Sequence, residues 1–207
     1  ELEAHLRWLL EGPPAQAWQV DPPLPVVNLE PNYEGHKSYH ADFTHGADNV
    51  RRASYWSLTI APPAGITFGQ NNIWPWQEEP GTVEGHGQLQ AQSWREGIDT
   101  PGVQSMTVLK DFFTALDWPS LRPAQHLLAQ QPGIDDPRRA ITVGQTEDGM
   151  LTVAYTPAGD MIQLKGVVDG VVARWFDPRT GAYQDAAHKD GVFNPPDAQD
   201  WVLVVGG

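Results

Sequence analysis

The chain has 207 residues, and 13 Lys and Arg against 26 Asp and Glu give it a formal net charge of −13. This charge argues against a nucleic-acid partner, because counterion release from phosphates needs clustered basic side chains. The absence of Cys excludes disulfides, thiolate zinc sites and cysteine nucleophiles, and no apolar run approaches the roughly 20 residues of a membrane span, so we expect neither nucleic acid nor a membrane as a partner.

The first half of the chain predicts strands that alternate with helices. Residues 23–30 are apolar without alternation, which is typical of a buried strand in a parallel sheet. The predicted elements in chain order are a helix over 1–11, this strand, a helix to residue 60 capped by Asp48, a second strand over 65–69, and a helix over 100–118. Strand–helix units with long loops after each strand indicate a parallel α/β architecture.

The second half predicts a small antiparallel β-sandwich. Short runs rich in Val, Ile, Trp and Tyr are separated by turns that contain Gly, Pro and Asp. The runs occupy residues 140–143, 151–155, 161–164, 171–176 and 201–205. We therefore divide the chain into an α/β part over 1–122 and an all-β domain over 123–207.

The α/β part is too short for a complete (β/α)8 barrel, which takes about 200 to 250 residues. It is either a small open sheet or the last units of a barrel. The chain opens on Glu1, with no N-cap and no Met, which favours the incomplete barrel.

A carboxylate stands where the first predicted strand ends. Active sites of barrels and open α/β sheets gather at the carboxyl ends of strands, which makes Glu30 a catalytic candidate. Pro31 keeps the backbone extended at this exit. Glu34 follows four residues later beside Tyr33 and is a candidate for binding substrate. The alternative is that Glu30 has only a structural role in a salt bridge or cap.

The second predicted strand runs into a loop of amides and indoles. Amides can bind sugar hydroxyls and indoles can stack on sugar rings, as a glycosidase subsite requires. These candidates are Gln70, Asn71, Asn72, Trp74 and Trp76. The two Trp could instead plug the end of the barrel, because Trp also fills cores.

The histidines over 36–45 and the arginine pair at 51–52 are better explained by non-catalytic roles than by a metal or active site. His36, His40 and His45 are spaced closely enough for a zinc site, but Gly35 and the missing apolar periodicity predict a loop at the rim of the site. We therefore expect no metal. Arg51 and Arg52 lie in the first turn of a predicted helix, where surface salt bridging is the expected role.

Three segments together resemble a known family. They are NLEPNYE over 28–34, NVRRASYW over 49–56, and GITFG over 65–69 leading to Ile73-Trp74. This set is similar to the C-terminal part of the apiosidase-like glycoside hydrolase barrels, glycoside hydrolase family 140 and relatives. The tail, with WFDPRTG over 175–181 and PPDAQDWVL over 195–203, resembles the β domain that follows those barrels and is labelled collagen-binding by analogy.

The resemblance implies a glycosidase that acts on a plant or microbial glycan by a retaining mechanism and without a cofactor. Glu30 would end barrel strand 7 and serve as the nucleophile, and Trp74 and Trp76 would follow strand 8. Glu34 and Trp74 would lie beside the substrate. Gln70 stands where the family often has His or a small residue, so sugar specificity can differ. The resemblance also favours a secreted or periplasmic location.

Barrel strands 1 to 6 are missing, and with them the expected acid/base carboxylate. We therefore expect a second polypeptide or segment to supply those strands, and no activity without it. The alternative from another class is a carbohydrate-binding or interaction protein that uses the same Trp and Asn side chains without turnover.

Overall fold

The computed structural model describes residues 2–22, 24–39, 41–86 and 89–207. In the described part of the first half, α-helices are joined by long loops and two small two-stranded sheets. Its elements are α1 (Leu2–Glu11), α2 (Pro13–Ala17), β1 (Val27–Asn28), α3 (Ala47–Ile60), β2 (Gly65–Ile66), β3 (Gly81–Thr82), β4 (Gln90–Ala91), α4 (Trp94–Gly97) and α5 (Pro101–Thr114). Within the described ranges, none of the helices has the length and apolar character to span a bilayer.

The two predicted parallel strands do pair, with Val27 opposite Gly65 and Asn28 opposite Ile66. The prediction of a buried strand over 23–30 was wrong in its extent and its burial, because β1 has only two residues and Leu29 is 69% exposed. Among the described residues, β1 and β2 pair only with each other, so each keeps an open edge. Residue 23, the predicted start of this strand, lies outside the described residues.

Helix α3 begins two residues earlier than predicted, and Asp48 is not its cap. Gly46 occupies the N-cap position, and its backbone N–H donates to Asn49 Oδ1 at 2.8 Å. Asp48 lies within the first turn, where its charge still complements the positive end of the helix.

The second half forms two antiparallel sheets, and their strands overlap all five predicted segments. The six-stranded sheet has the order β10-β9-β13-β7-β6-β5, and the three-stranded sheet has the order β11-β12-β8. The strands are β5 (Leu121–Pro123), β6 (Thr142–Thr146), β7 (Leu151–Thr156), β8 (Ile162–Gln163), β9 (Ala173–Phe176), β10 (Tyr183–Asp185), β11 (His188–Lys189), β12 (Val192–Phe193) and β13 (Trp201–Gly206). A 3-10 helix at Trp118–Ser120 precedes β5, and three more lie between β5 and β6, at Gln125–Leu127, Pro132–Ile134 and Pro137–Arg139.

Both faces of the larger sheet are buried, because side chains alternate between two cores along each strand. In β13, Val202 and Val204 join the core that includes α3 and α5, whereas Leu203 and Val205 join the core shared with the smaller sheet. The helical core also holds Tyr55, whose ring stacks on Tyr155 of β7 at 4.9 Å between centroids. The helices and the large sheet therefore share one core.

A buried ion pair crosses the same interface. Arg51 Nε donates to Asp200 Oδ2 at 2.7 Å and Arg51 Nη2 donates to Asp200 Oδ1 at 3.0 Å. Tyr155 donates its hydroxyl hydrogen to Asp200 Oδ2 at 3.2 Å. Burial acts to lower the pKa of Arg51, but the hydrogen bonds and charge of Asp200 raise it above its usual range. The expected surface role for Arg51 was wrong, since the partner that buries it lies on the other half of the chain.

Candidate active site

A cavity of about 310 Å³ opens where β1 ends. The loop after β1 and the loop after β2 both contribute to its wall, so the parallel pairing brings together segments about 40 residues apart. The cavity is lined by Glu30, Pro31, Asn32, Tyr33, His36, Tyr39, His45, Trp74 and His86.

Glu30 is the only carboxylate among the described residues that line this cavity. Its side chain is exposed, and no described residue donates a hydrogen bond to its oxygens. Its backbone N–H donates to Asn28 Oδ1 at 3.4 Å, which ties the exit turn to the end of β1. The carboxylate is therefore open to an incoming group.

Glu34 has the opposite environment, since it is only 7% exposed and both of its oxygens are bonded. Oε1 accepts the backbone N–H of Gly102 at 2.7 Å, and Oε2 accepts the hydroxyl of Thr100. These donors stand at the start of α5, where the free N–H groups and the helix dipole favour a negative charge. Glu34 thus caps α5 and does not line the cavity.

Tyr33 lines the cavity together with Glu30 and His36, and the centroids of the Tyr33 and His36 rings are 6.5 Å apart. Burial, and then the negative charges of Glu30 and Tyr39, raise the pKa of Tyr33 above its usual range. The phenol therefore stays protonated at neutral pH and can donate a hydrogen bond to a sugar hydroxyl.

The predicted histidine rim is only partly described. His36 and His45 both line the cavity, whereas His40 lies outside the described residues. His86 was not predicted, because it comes from the segment between β3 and β4 and carries no local signal. Its ring packs edge-to-face on Trp74, with 4.6 Å between centroids.

Gln70 and Asn72 shape the loop after β2 and do not line the cavity. Gln70 is buried, and its Oε1 accepts the backbone N–H groups of Asn72 at 2.6 Å and Ile73 at 3.2 Å. Asn72 Oδ1 accepts the backbone N–H of Gln92 at 3.0 Å. Both amides hold the turn that carries Trp74.

The two predicted Trp residues face different surroundings. Trp74 lines the cavity, and its buried indole N–H has no acceptor among the described residues. Trp76 is 63% exposed outside the cavity, where its ring stacks on Trp94 at 4.7 Å between centroids. The structure therefore brings Glu30, Tyr33 and Trp74 together and separates Trp76 from them.

Comparison with solved structures defines the fold class. The chain resembles a glycoside hydrolase at 22% identity and a TM-score of 0.77, over 93% of this chain and 44% of that one. It also resembles a family 5 glycoside hydrolase from Bacteroides vulgatus ATCC 8482, at 21% identity and a TM-score of 0.75, over 91% of this chain and 42% of that one. The fold is that of glycoside hydrolases, and the chain spans less than half the length of either structure.

The family follows from the sequence match. Residues 13–120, just over half of the chain, match the family described as "Apiosidase-like, catalytic domain". The chain therefore belongs to the apiosidase-like family. Residues 122–206 match the family described as "Putative collagen-binding domain of a collagenase". No curated protein shows significant similarity to the chain.

Proposed function

We propose that the chain forms the C-terminal part of a retaining glycosidase that cleaves a glycosidic bond in a plant or microbial glycan. Residues 1–122 would supply the last units of a (β/α)8 barrel and residues 123–207 a β-sandwich packed on it. The observation that carries this proposal is the open carboxylate of Glu30, which follows a parallel strand and lines an aromatic cavity.

In the proposed reaction Glu30 attacks the anomeric carbon and forms a glycosyl ester as the leaving group departs. A second carboxyl group protonates the leaving oxygen and later takes a proton from the water that cleaves the ester. That group must stand about 5 to 5.5 Å from Glu30. Since the described cavity residues offer no second carboxylate, it would come from the part of the barrel that completes the site.

The surroundings of Glu30 suggest how the sugar is held. Tyr33 and Trp74 both line the cavity, where the phenol is suited to bind a sugar hydroxyl and the indole ring to pack on the face of a sugar. We now assign Glu34, Gln70 and Asn72 to positioning, because their polar atoms are engaged by the protein backbone.

The open edges of β1 and β2 support a segment that completes the barrel. Val27 is 47% exposed on β1, and an apolar groove of about 750 Å³ lies beside it, lined in part by Leu24, Val26 and Trp118. An unpaired apolar edge tends to bind further strands. We propose that the completing segment buries well over about 1,000 Å² here, as obligate interfaces do.

The proposal is tested by kinetics on an aryl glycoside with the completed barrel. Glu30→Gln keeps the shape of the side chain but cannot form the ester, so kcat should fall at least about a thousandfold, which is about 4 kcal/mol of barrier. Glu34→Gln keeps one acceptor at the start of α5 and should cause a smaller loss. A Glu30→Gln enzyme that keeps more than about a tenth of wild-type turnover contradicts the assignment.

One observation favours a second function, carbohydrate binding without turnover. Glu30 is the only carboxylate among the described cavity residues, and a single carboxylate cannot complete either glycosidase mechanism. A co-purifying segment that places an Asp or Glu beside Glu30 supports the enzyme. A stable chain that binds glycans with no such segment supports the binder.

A further inference from the structure

We propose that the outer face of Trp76, supported by Trp94, is a second sugar-binding subsite outside the cavity. This inference rests on the proposed function and extends substrate recognition beyond the ring that contacts Glu30. Trp76 lies on the same loop as Trp74, two residues further along the chain, so one loop carries both the subsite and part of the cavity wall.

Stacking leaves one indole face open. The rings of Trp76 and Trp94 are nearly parallel, with an angle of 6° between their planes. The Arg95 guanidinium lies 4.3 Å from the centroid of the Trp94 ring. Trp76 and Arg95 cannot both cover the same face of the Trp94 ring, so Trp94 is enclosed between them. The free face of the stack is therefore the outer face of Trp76.

The stack is fixed by hydrogen bonds around it. Glu78 pairs with Arg95 through Oε2, and its Oε1 accepts the indole N–H of Trp94 at 3.2 Å. Gln77 Nε2 donates to the carbonyl oxygens of Gly81 at 3.2 Å and Ala91 at 3.0 Å. The backbone N–H of Trp94 donates to the carbonyl of Gln77 at 3.0 Å.

Trp76 also has a backbone conformation that bulky residues avoid, with φ at 55°. Such strain persists where the surrounding structure fixes it, and it is concentrated at binding sites. Here it directs a large apolar ring towards solvent, where the ring gains little from burial. A rigid, exposed aromatic face loses little entropy when a ligand stacks on it.

The chemistry of the stack favours a neutral pyranose ring as its occupant. A sugar ring has a C–H face that matches a flat indole, whereas Glu78 and Arg95 interact with Trp94, on the other side of the stack. Glu78 and Arg95 neutralise each other, and the chain carries a formal charge of −13. The charge of Arg95 is therefore already paired, which disfavours an acidic sugar at this stack.

The test is binding of cellohexaose, xylohexaose and mannohexaose to the full chain, measured by titration calorimetry. The main variant is Trp76→Asn, since Asn tolerates the left-handed backbone and removes the ring. Trp94→Ala removes the support, and Trp8→Ala is the control, because Trp8 is a partly exposed indole on α1 that lies outside the cavity.

At least one hexasaccharide should bind, and Trp76→Asn and Trp94→Ala should each weaken it by about fivefold to tenfold. Trp8→Ala should bind as the wild type does. Binding that is unaffected by Trp76→Asn, or no binding to any of the three sugars, overturns the subsite. The subsite is also overturned if Trp76→Asn changes only the self-association of the chain and not its sugar binding. Because no turnover is measured, the subsite can stand even if Glu30 proves not to be the nucleophile.

Discussion

Replacing Asp200 with Ala should cause a large loss of stability, because it leaves the Arg51 guanidinium buried without its anion. Both side chains are less than 10% exposed, and two hydrogen bonds join them at 2.7 and 3.0 Å. Tyr155 would lose its acceptor as well, and only the 3.3 Å bond from Arg51 to Ser105 would remain.

The magnitude follows from the cost of an unpaired buried charge. Removing one partner of a buried ion pair costs about 3 to 5 kcal/mol of unfolding free energy. For a chain of this size, about 1 kcal/mol shifts the Tm by about 2 to 4 °C, so Asp200→Ala should lower it by roughly 6 to 20 °C. Replacing both residues with apolar ones, Arg51→Met with Asp200→Leu, should recover most of the loss.

Urea unfolding followed by Trp fluorescence measures these differences. The matched control is Glu147→Ala, which breaks the partly exposed Arg122–Glu147 pair at 2.8 Å and should cost less than about 1 kcal/mol. The reasoning is refuted if Asp200→Ala costs no more than this control. It is also refuted if the double variant is no more stable than Asp200→Ala alone.

Two further predictions concern the loop between β1 and α3. Removing the negative charge with Glu30→Gln should lower the pKa of Tyr33, which an alkaline absorbance titration compared with Tyr33→Phe can resolve; an unchanged pKa contradicts the placement of Glu30 beside it. Gly102→Ala should destabilise the chain by about 1 to 3 kcal/mol in thermal unfolding, because its Cβ would collide with the Glu34 carboxylate. Gly81→Ala meets no atom within 4 Å and should be nearly neutral, and equal effects of the two substitutions would contradict the cap.

The sequence predicts the site best where the signal is local. Glu30 could be chosen because it follows an apolar strand, and the pairing of β1 with β2 places it beside the loop that carries Trp74. The length of the strand could not be predicted, because strand length depends on neighbours. With one partner on one side, the apolar residue Leu29 remains exposed.

Contacts between distant residues account for the remaining differences. The role of Glu34 depends on Gly102, 68 residues away, and Arg51 finds its anion 149 residues away. The sequence around Glu34 does not indicate its contact with Gly102, and the sequence around Arg51 does not indicate its ion pair. A substrate role for Glu34 and a surface role for Arg51 were therefore the natural predictions. Trp94 was missed for the same reason, since its stacking partner lies across a loop.

The central claim is that Glu30 is the nucleophile, and covalent trapping tests it most directly. The completed barrel is treated with a mechanism-based 2-fluoro glycoside, digested, and mapped by mass spectrometry. A glycosyl ester on Glu30, absent in Glu30→Gln, is the predicted result. A label on Glu34 or on any other carboxylate, with Glu30 unmodified, contradicts the account and makes Glu30 a structural residue.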